Sequence, residues 1–328
     1  MPGLLEEKNS REEKLKDSHL QLSVRTKNKA HTAYGRHAQM PVLMTDTYAD
    51  VELPDFKQFD PNDIKLDATI VAIGKRRTGK SWLFRDIMYQ FKDRIDAGIV
   101  FSMTDELNKF WREYIPPKFI YEQYNPAIVE RIFARQKAIL NDRNLSKAEI
   151  EKKAPFFILL DDVISDERLK YDEPLRRLFV AGRHYKLFVL ITTQYAKGIP
   201  PILRGNTDYI FIMKTLQGRQ RDAMWEDYGD FLTKDAWTTL IDEYTEDNEV
   251  VVVDTSNNTS KVEDMIMWYK ATDPGPFKFG SKAFHMDRHQ KGTPHDDRFK
   301  NWGAKDFMTI EHMWPAEYKD MVNHAITN

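Results

Sequence analysis

The feature that most constrains the fold is the segment from residue 68 to residue 90, where an apolar run leads into a glycine-containing loop and then into a helical stretch. The apolar run, residues 69–73, predicts a buried strand. The loop has the pattern G-x-x-x-x-G-K-S, and its members are Gly74, Lys75, Arg76, Arg77, Thr78, Gly79, Lys80 and Ser81. The glycines permit a tight turn, so that backbone N–H groups and the positive end of the helix converge on one point. This pattern predicts a binding site for a nucleoside triphosphate.

Two side chains of this loop have predicted roles. Lys80 would contact the β- and γ-phosphates, and the Ser81 hydroxyl would bind Mg²⁺. The sequence contains no N-K-x-D segment of the kind that reads guanine. We therefore expect the nucleotide to be ATP.

A second apolar run ends in two acids. Residues 156–160 are entirely apolar, and Asp161 and Asp162 follow them. Such a run is typical of a buried parallel strand whose carboxyl end reaches the nucleotide. Asp161 would hold Mg²⁺ directly or through water, and Asp162 would accept a proton from the attacking water or orient it. The alternative is that the two acids cap the next turn.

A third run, residues 187–194, predicts another buried strand; it begins apolar and has polar residues at its carboxyl end, the last of which is Gln194. If this run is a strand beside the acid-tipped one, Gln194 lies next to the γ-phosphate and is a candidate catalytic residue. A strand of this kind, next to the acid-tipped strand, typifies the additional-strand, catalytic-acid P-loop NTPases. It is not typical of the small GTPases.

The remaining apolar runs complete an alternating pattern. Further strands are predicted at 98–102, 209–213 and 249–253, with a possible edge strand at 265–268; helices are predicted at 125–141, 173–183, 220–228 and 234–244. Strands that alternate with helices predict an α/β fold with a mostly parallel central sheet flanked by helices.

The chain divides into three parts by composition. Residues 1–45 are predicted to form a mobile polar tail, residues 46–273 the P-loop core, and residues 274–328 an irregular C-terminal extension. A group of polar side chains in the extension resembles a metal nuclease site in composition, but we do not expect one, because neither thiolates nor a metal-ligand spacing support it. Its members are His285, Asp287, His289, His295, Asp296 and Asp297.

Overall composition limits the possible classes of protein. No run approaches the ~18 apolar residues of a membrane span, and the N-terminus lacks the apolar core of a secretion signal. The chain has no cysteine and a net charge of -2. Disulfides and thiolate metal sites are therefore excluded, and any contact with DNA would have to come from a local patch or from the lumen of a ring.

These motifs, in this order, resemble those of the ring ATPases of the FtsK/HerA superfamily, and most closely the genome-packaging ATPases of large cytoplasmic DNA viruses of the poxvirus type. The resemblance covers about residues 69–211 and is carried by Lys80, Asp161, Asp162 and Gln194, together with residues 182–184 and 199–208. The loop departs from the family pattern at Lys75, Arg76 and Arg77, where the family usually has small residues.

The resemblance implies an ATPase that moves double-stranded DNA of any sequence into a preformed capsid. It implies ATP and Mg²⁺ as cofactors, a pentameric or hexameric homo-oligomeric ring, contacts with capsid or portal-vertex proteins, and a location in the host cytoplasm, at the virus factory or in the virion. An arginine supplied in trans accelerates phosphoryl transfer strongly. The candidates are Arg183 and Arg204, whereas Arg76 would act in cis, as in large terminases.

Two other readings remain open from the sequence. A large-terminase-like motor, or another P-loop translocase or helicase, would share the ATPase centre, although a terminase normally carries a nuclease domain and the residues after Pro274 are few. A nucleotide-switched binding protein would keep the phosphate loop without needing a catalytic acid. Asp162 and Gln194 argue against the second reading.

Overall fold

The computed structural model describes residues 53–164, 169, 171–257, 259 and 261–285. Within them the chain folds around one eight-stranded sheet with the order β3-β2-β4-β5-β1-β6-β7-β8. The strands are β1 (Thr69–Ile73), β2 (Gly98–Ser102), β3 (Ile120–Tyr121), β4 (Phe156–Asp161), β5 (Leu187–Thr193), β6 (Tyr209–Ile212), β7 (Glu249–Asp254) and β8 (Ile266–Lys270).

Helices join most of these strands. They are α1 (Lys80–Phe91), α2 (Asp105–Asn108), α3 (Pro126–Leu140), α4 (Lys147–Lys153), α5 (Glu173–Ala181), α6 (Pro201–Arg204), α7 (Gly218–Tyr228), α8 (Lys234–Tyr244), α9 (Val262–Met265) and α10 (Lys282–His285). Single 3₁₀ turns lie at Pro61–Asp63, Trp111–Glu113, Pro117–Phe119, Gly182–Tyr185 and Ala196–Gly198. None of the described helices is long and apolar enough to cross a membrane.

The order of the central strands decides where the polar residues meet. β5 pairs in parallel with β1 on one side and with β4 on the other. Thr192 lies opposite both Ala72 of β1 and Asp161 of β4. The phosphate loop, the acid pair and Gln194 therefore leave three adjacent parallel strands at one edge, which we call the carboxyl edge.

The far side of the sheet is antiparallel. β7 pairs antiparallel with β6, and β8 with β7, so the chain folds back and forth after β6. The predicted mostly parallel α/β sheet is confirmed, and the run near residue 265 forms the edge strand β8. β3 was not predicted, because two residues carry no detectable periodicity.

The helix of the phosphate loop is tied to the segment after β8. Asp86 of α1 is fully buried and accepts hydrogen bonds from the Tyr269 hydroxyl (2.5 Å) and from the Thr272 backbone N–H (2.9 Å). The preceding residue of the helix, Arg85, donates to Asp273 at 2.6 Å. α1 thus has a fixed position against the sheet and against residues 272–275.

The first part of the predicted C-terminal extension packs on the core. Phe279 is fully buried, and the Phe284 ring stacks on Phe119 with centroids 4.6 Å apart. Gly280 has φ 88°, and a Cβ there would meet the Asp96 carbonyl oxygen at 2.6 Å, so glycine is required for this approach. The predicted tail of residues 1–45 and residues 286–328 of the predicted extension lie outside the described residues.

Candidate active site

The phosphate loop has the geometry that its glycines suggested. Gly79 has φ 94°, and a Cβ on Gly74 would come 2.5 Å from Met213, so neither position accepts a side chain without strain or displacement. The hydrogen-bond ladder of α1 begins where the Leu83 N–H donates to the Gly79 carbonyl at 2.9 Å. The N–H groups of residues 80–82 precede this first rung, which is the usual arrangement at an anion-binding helix N-terminus.

Lys80 lies inside the loop, and its side chain is 7% exposed. Its Nζ donates to the carbonyl oxygens of Gly74 (2.6 Å) and Lys75 (3.0 Å). Burial lowers the pKa of Lys80, while the charges of Asp162 and Asp161 act in the opposite direction. The ammonium group therefore sits in a poorly solvated place, where attraction to a phosphate is stronger than in bulk water.

The other predicted loop residues occupy different environments. The Thr78 hydroxyl donates to the Lys75 carbonyl at 2.8 Å and closes the turn. Arg76 and Arg77 point outward and are exposed, and Arg77 has φ 65°. Ser81 is half-buried in the first turn of α1.

Asp161 is buried at the end of β4 and accepts three hydrogen bonds. Trp111 Nε1 donates to Oδ2 at 2.8 Å, Ser102 Oγ donates to the same oxygen at 3.1 Å, and Thr192 Oγ1 donates to Oδ1 at 2.8 Å. Burial raises the pKa of Asp161, and the hydrogen bonds from these three side chains act in the opposite direction. Three donors on one carboxylate favour the charged form in a place where water would otherwise be needed.

Asp162 turns its side chain toward the loop. Its φ is 54°, the left-handed region that Asp adopts more readily than most residues. Asp162 Oδ1 lies 4.0 Å from Lys80 Nζ, and Gln194 Nε2 donates to Asp162 Oδ2 at 3.3 Å. The structure therefore brings together the predicted lysine, second acid and glutamine.

Thr192 links the two acids and was not predicted as a site residue. Its hydroxyl accepts from the Asp162 backbone N–H at 2.7 Å while it donates to Asp161. The sequence signal was present, since Thr192 is one of the polar residues at the carboxyl end of β5. Trp111 gave no comparable signal, because it comes from a loop far away in the chain.

A hydroxyl and two carboxylates form an oxygen-only donor set, which suits Mg²⁺. Ser81 opens α1, and the two acids end β4, so all three belong to the carboxyl edge. The three hydrogen bonds that Asp161 already accepts favour a contact with the ion through water. The oxygen atoms of Ser81 and Asp161 are thus of the chemical kind that Mg²⁺ prefers.

The arginine candidates lie in three different places. Arg183 precedes β5, at the opposite edge of the sheet from the phosphate loop; its side chain is 52% exposed and lies 3.5 Å from Asp208. Arg204 ends α6 and is paired with Asp227, with a side chain only 17% exposed. Arg76 belongs to the loop itself, and its charge contributes to the lowered pKa of Lys80.

Of the six His and Asp residues of the C-terminal extension named above, only His285 lies within the described residues. Its Nε2 is 2.7 Å from the Phe279 carbonyl oxygen. Across the part of the chain that the structure describes, no group of three or more His, Asp or Glu side chains could hold a metal ion.

Comparison with known proteins decides the family. The sequence profile described as "Poxvirus A32 protein" matches residues 56–220, which include the phosphate loop, both acids and Gln194. The chain belongs to the poxvirus A32 family. The predicted resemblance to poxvirus-type packaging ATPases is thereby confirmed, and with it the assignment of the chain as a viral genome-packaging ATPase.

Relatives of this poxvirus A32 family member occur in other large DNA viruses. An uncharacterized protein, L437, of Acanthamoeba polyphaga mimivirus is 33% identical over 241 residues, which are 72% of this chain and 84% of that protein. An uncharacterized protein, 015R, of Frog virus 3 is 29% identical over 232 residues, covering 68% of this chain and 70% of the relative.

Among solved structures, the genome packaging NTPase B204 from Sulfolobus turreted icosahedral virus 2, in complex with AMPPCP, is similar with a TM-score of 0.46 and 16% identity. The match covers 64% of this chain and all of B204.

Proposed function

We propose that this chain hydrolyses ATP at the carboxyl edge of its sheet and uses the reaction to move double-stranded DNA into a preformed capsid. The observation that supports this most directly is the meeting of Lys80, Asp162 and Gln194 beside the phosphate loop. A protein that only binds a nucleotide needs the phosphate loop and the lysine. A carboxylate with an amide beside it is needed in addition when the protein activates a water molecule for hydrolysis.

Each residue has a distinct part in the proposed reaction. The N–H groups of residues 80–82 and Lys80 Nζ bind the phosphates and favour the charge that develops on them. Asp162 Oδ1 or Oδ2 accepts the proton of the attacking water, and Gln194 orients that water through its amide. Ser81 and Asp161 would hold Mg²⁺, which would supply positive charge to the phosphate oxygens.

The active unit is proposed to be a homo-oligomeric ring of five or six chains around the DNA. A cation at the γ-phosphate, supplied in trans, is worth roughly 10³ to 10⁵ in rate in P-loop enzymes. Arg183 is a stronger candidate for this cation than Arg204, because its side chain is half exposed. It also lies at the edge of the sheet opposite the phosphate loop, so that it could reach only the nucleotide site of a neighbouring chain. Arg204 would first have to leave its ion pair with Asp227, and Arg76 remains the candidate in cis.

The partners follow from the same proposal. DNA would be held through its phosphates without reading of sequence, and capsid or portal-vertex proteins would hold the ring at the site of packaging. Such a motor would work in the host cytoplasm at the virus factory and would remain with the virion if it stays at the vertex.

The proposed division of roles can be tested with two variants. Lys80→Ala should abolish ATP binding, because it removes the buried cation that faces the phosphates. Asp162→Asn should retain ATP and Mg²⁺ binding but lose turnover, because an amide cannot accept the proton. The measurements are calorimetric titration with a non-hydrolysable ATP analogue and steady-state phosphate release, with the exposed Asp93→Asn as the matched control.

Normal ATP affinity in Lys80→Ala would overturn the site. If both variants lost binding to the same degree, the assignment of Asp162 to the chemical step would be wrong.

A further inference from the structure

Trp82 is a large aromatic side chain that stands exposed beside the phosphate loop. It directly follows Ser81 in the first turn of α1, and it is 53% exposed. Single exposed apolar residues are common and indicate nothing by themselves. The surroundings of this indole are more informative than its exposure.

Two neighbours hold the indole in place. The Arg85 guanidinium lies over the ring, 4.5 Å from its centroid, and the Phe110 ring packs against it at 6.0 Å with an interplanar angle of 61°. Arg85 is itself buried and fixed by hydrogen bonds to Asp273 (2.6 Å) and to the Gly275 carbonyl (3.1 Å). Arg85 and Phe110 therefore hold at a defined position an indole that is more than half exposed.

The position of Trp82 along the loop relates it to a particular part of the nucleotide. Lys80 marks the β/γ end of the phosphate chain. The ladder of α1 begins at Leu83, so the Trp82 N–H is the last amide before the first rung. A triphosphate that starts at Lys80 and follows these amides has its α-phosphate near residue 82, and the nucleoside continues from there.

We propose that Trp82 stacks on the purine base of the bound nucleoside triphosphate. This inference rests on the proposed function and adds to it, since the phosphate loop contacts phosphates and leaves the base without a partner. The interaction is contact between two π-systems, so it favours the larger purine ring over a pyrimidine and does not depend on base hydrogen bonds. Arg85 would act as a positioning residue that keeps the indole in place.

The test compares a ligand that has a base with one that has none. Binding of AMP-PNP and of inorganic tripolyphosphate, each with Mg²⁺, is measured by calorimetry on the full chain. Trp82→Ala should weaken AMP-PNP binding on the order of tenfold and leave tripolyphosphate binding unchanged. Trp82→Phe, which keeps a smaller ring, should give an intermediate loss. Leu107→Ala removes another exposed apolar side chain near this edge, 87% exposed, and should change neither affinity.

A second arm uses the base itself. The wild-type chain should bind purine triphosphate analogues more tightly than pyrimidine ones, and Trp82→Ala should narrow this difference. Equal loss of AMP-PNP and tripolyphosphate in Trp82→Ala would mean that the indole supports only the loop, and unchanged AMP-PNP affinity would mean that it does not touch the base. Either result overturns the inference while the proposed function stands, because that function is tested separately, by ATP binding to Lys80→Ala and by the response of ATP hydrolysis to duplex DNA.

Discussion

At the scale of single residues, some groups of the site could be predicted from the sequence and others could not. Lys80, Asp161, Asp162 and Gln194 all lie beyond the apolar part of a predicted strand, and the rule that parallel strands share a carboxyl edge predicts that they meet. Trp111, by contrast, reaches Asp161 from a 3₁₀ turn that no periodic pattern announces. Its role depends on how a loop packs, which local sequence does not encode.

The hydrogen bond from Trp111 leads to a prediction about pH. Burial raises the pKa of Asp161, and the indole N–H lowers it by favouring the carboxylate. Trp111→Phe keeps most of the packing but removes the donor, so the pKa of Asp161 should rise further. Because the proposed reaction needs Asp161 ionised, the acid limb of the pH–rate profile should move to higher pH, and activity should be lost first at low pH.

The matched control for this variant is Trp237→Phe. Trp237 is fully buried, and its indole N–H has no hydrogen-bond partner among the described residues. This control measures how activity changes when a buried indole is replaced by a phenyl ring while the hydrogen bonds of Asp161 stay intact. An acid limb that stays at the wild-type position in Trp111→Phe would show that Asp161 does not control the profile.

At the scale of elements, most of the fold could be predicted from the sequence because its strands are unusually clear. The runs that form β1, β2 and β5 are buried from end to end; β1 and β2 have the predicted bounds, and β5 ends at Thr193, one residue earlier than predicted. The order of strands was less accessible. Only the placement of β5 next to β4 was expected. The antiparallel pairing of β7 with β6 and β8 depends on long-range packing.

α1 is anchored more firmly than its sequence suggests, and this can be measured. Asp86→Ala would leave the Tyr269 hydroxyl and the Thr272 N–H without their buried acceptor. We expect the free energy of unfolding to fall by about 2–4 kcal/mol, as is usual when one partner of a buried charged network is removed. Urea denaturation measures this change.

Asp93→Ala is the control for that prediction, since Asp93 lies just beyond α1 with a side chain that is 81% exposed. It should leave stability nearly unchanged. A loss as small in Asp86→Ala as in Asp93→Ala would mean that the segment after β8 does not stabilise α1.

At the scale of the whole molecule, the two edges of the sheet carry different candidate functional residues. The carboxyl edge holds the phosphate loop and the acids, and the opposite edge presents Arg183 with a side chain that is half exposed. The two edges are about 20 Å apart, given the seven residues of β5. A neighbour that docks head to tail would bring one edge to the other, and repeated docking of this kind closes into a ring.

Mixing experiments test this arrangement. Lys80→Ala subunits have a defective loop but an intact Arg183, and Arg183→Ala subunits have the reverse. Each alone should be inactive, and a mixture should regain part of the hydrolysis rate, because a Lys80→Ala neighbour supplies the missing arginine. Arg76→Ala, if that residue acts in cis, would not be rescued. A specific activity that is constant from dilute monomer upward would contradict a site shared between subunits.

The proposed coupling of ATP hydrolysis to DNA movement is tested by the rate of ATP hydrolysis by assembled protein with and without duplex DNA, across low and moderate salt. The net charge of -2 makes unspecific adsorption by a basic protein an unsuitable explanation for any effect. We expect stimulation by duplex DNA of any sequence, weaker stimulation by single strands, and a steep decline with salt as phosphate contacts are lost. Hydrolysis at the same rate with and without duplex DNA at every salt concentration would contradict the motor and leave a nucleotide-switched P-loop protein in its place.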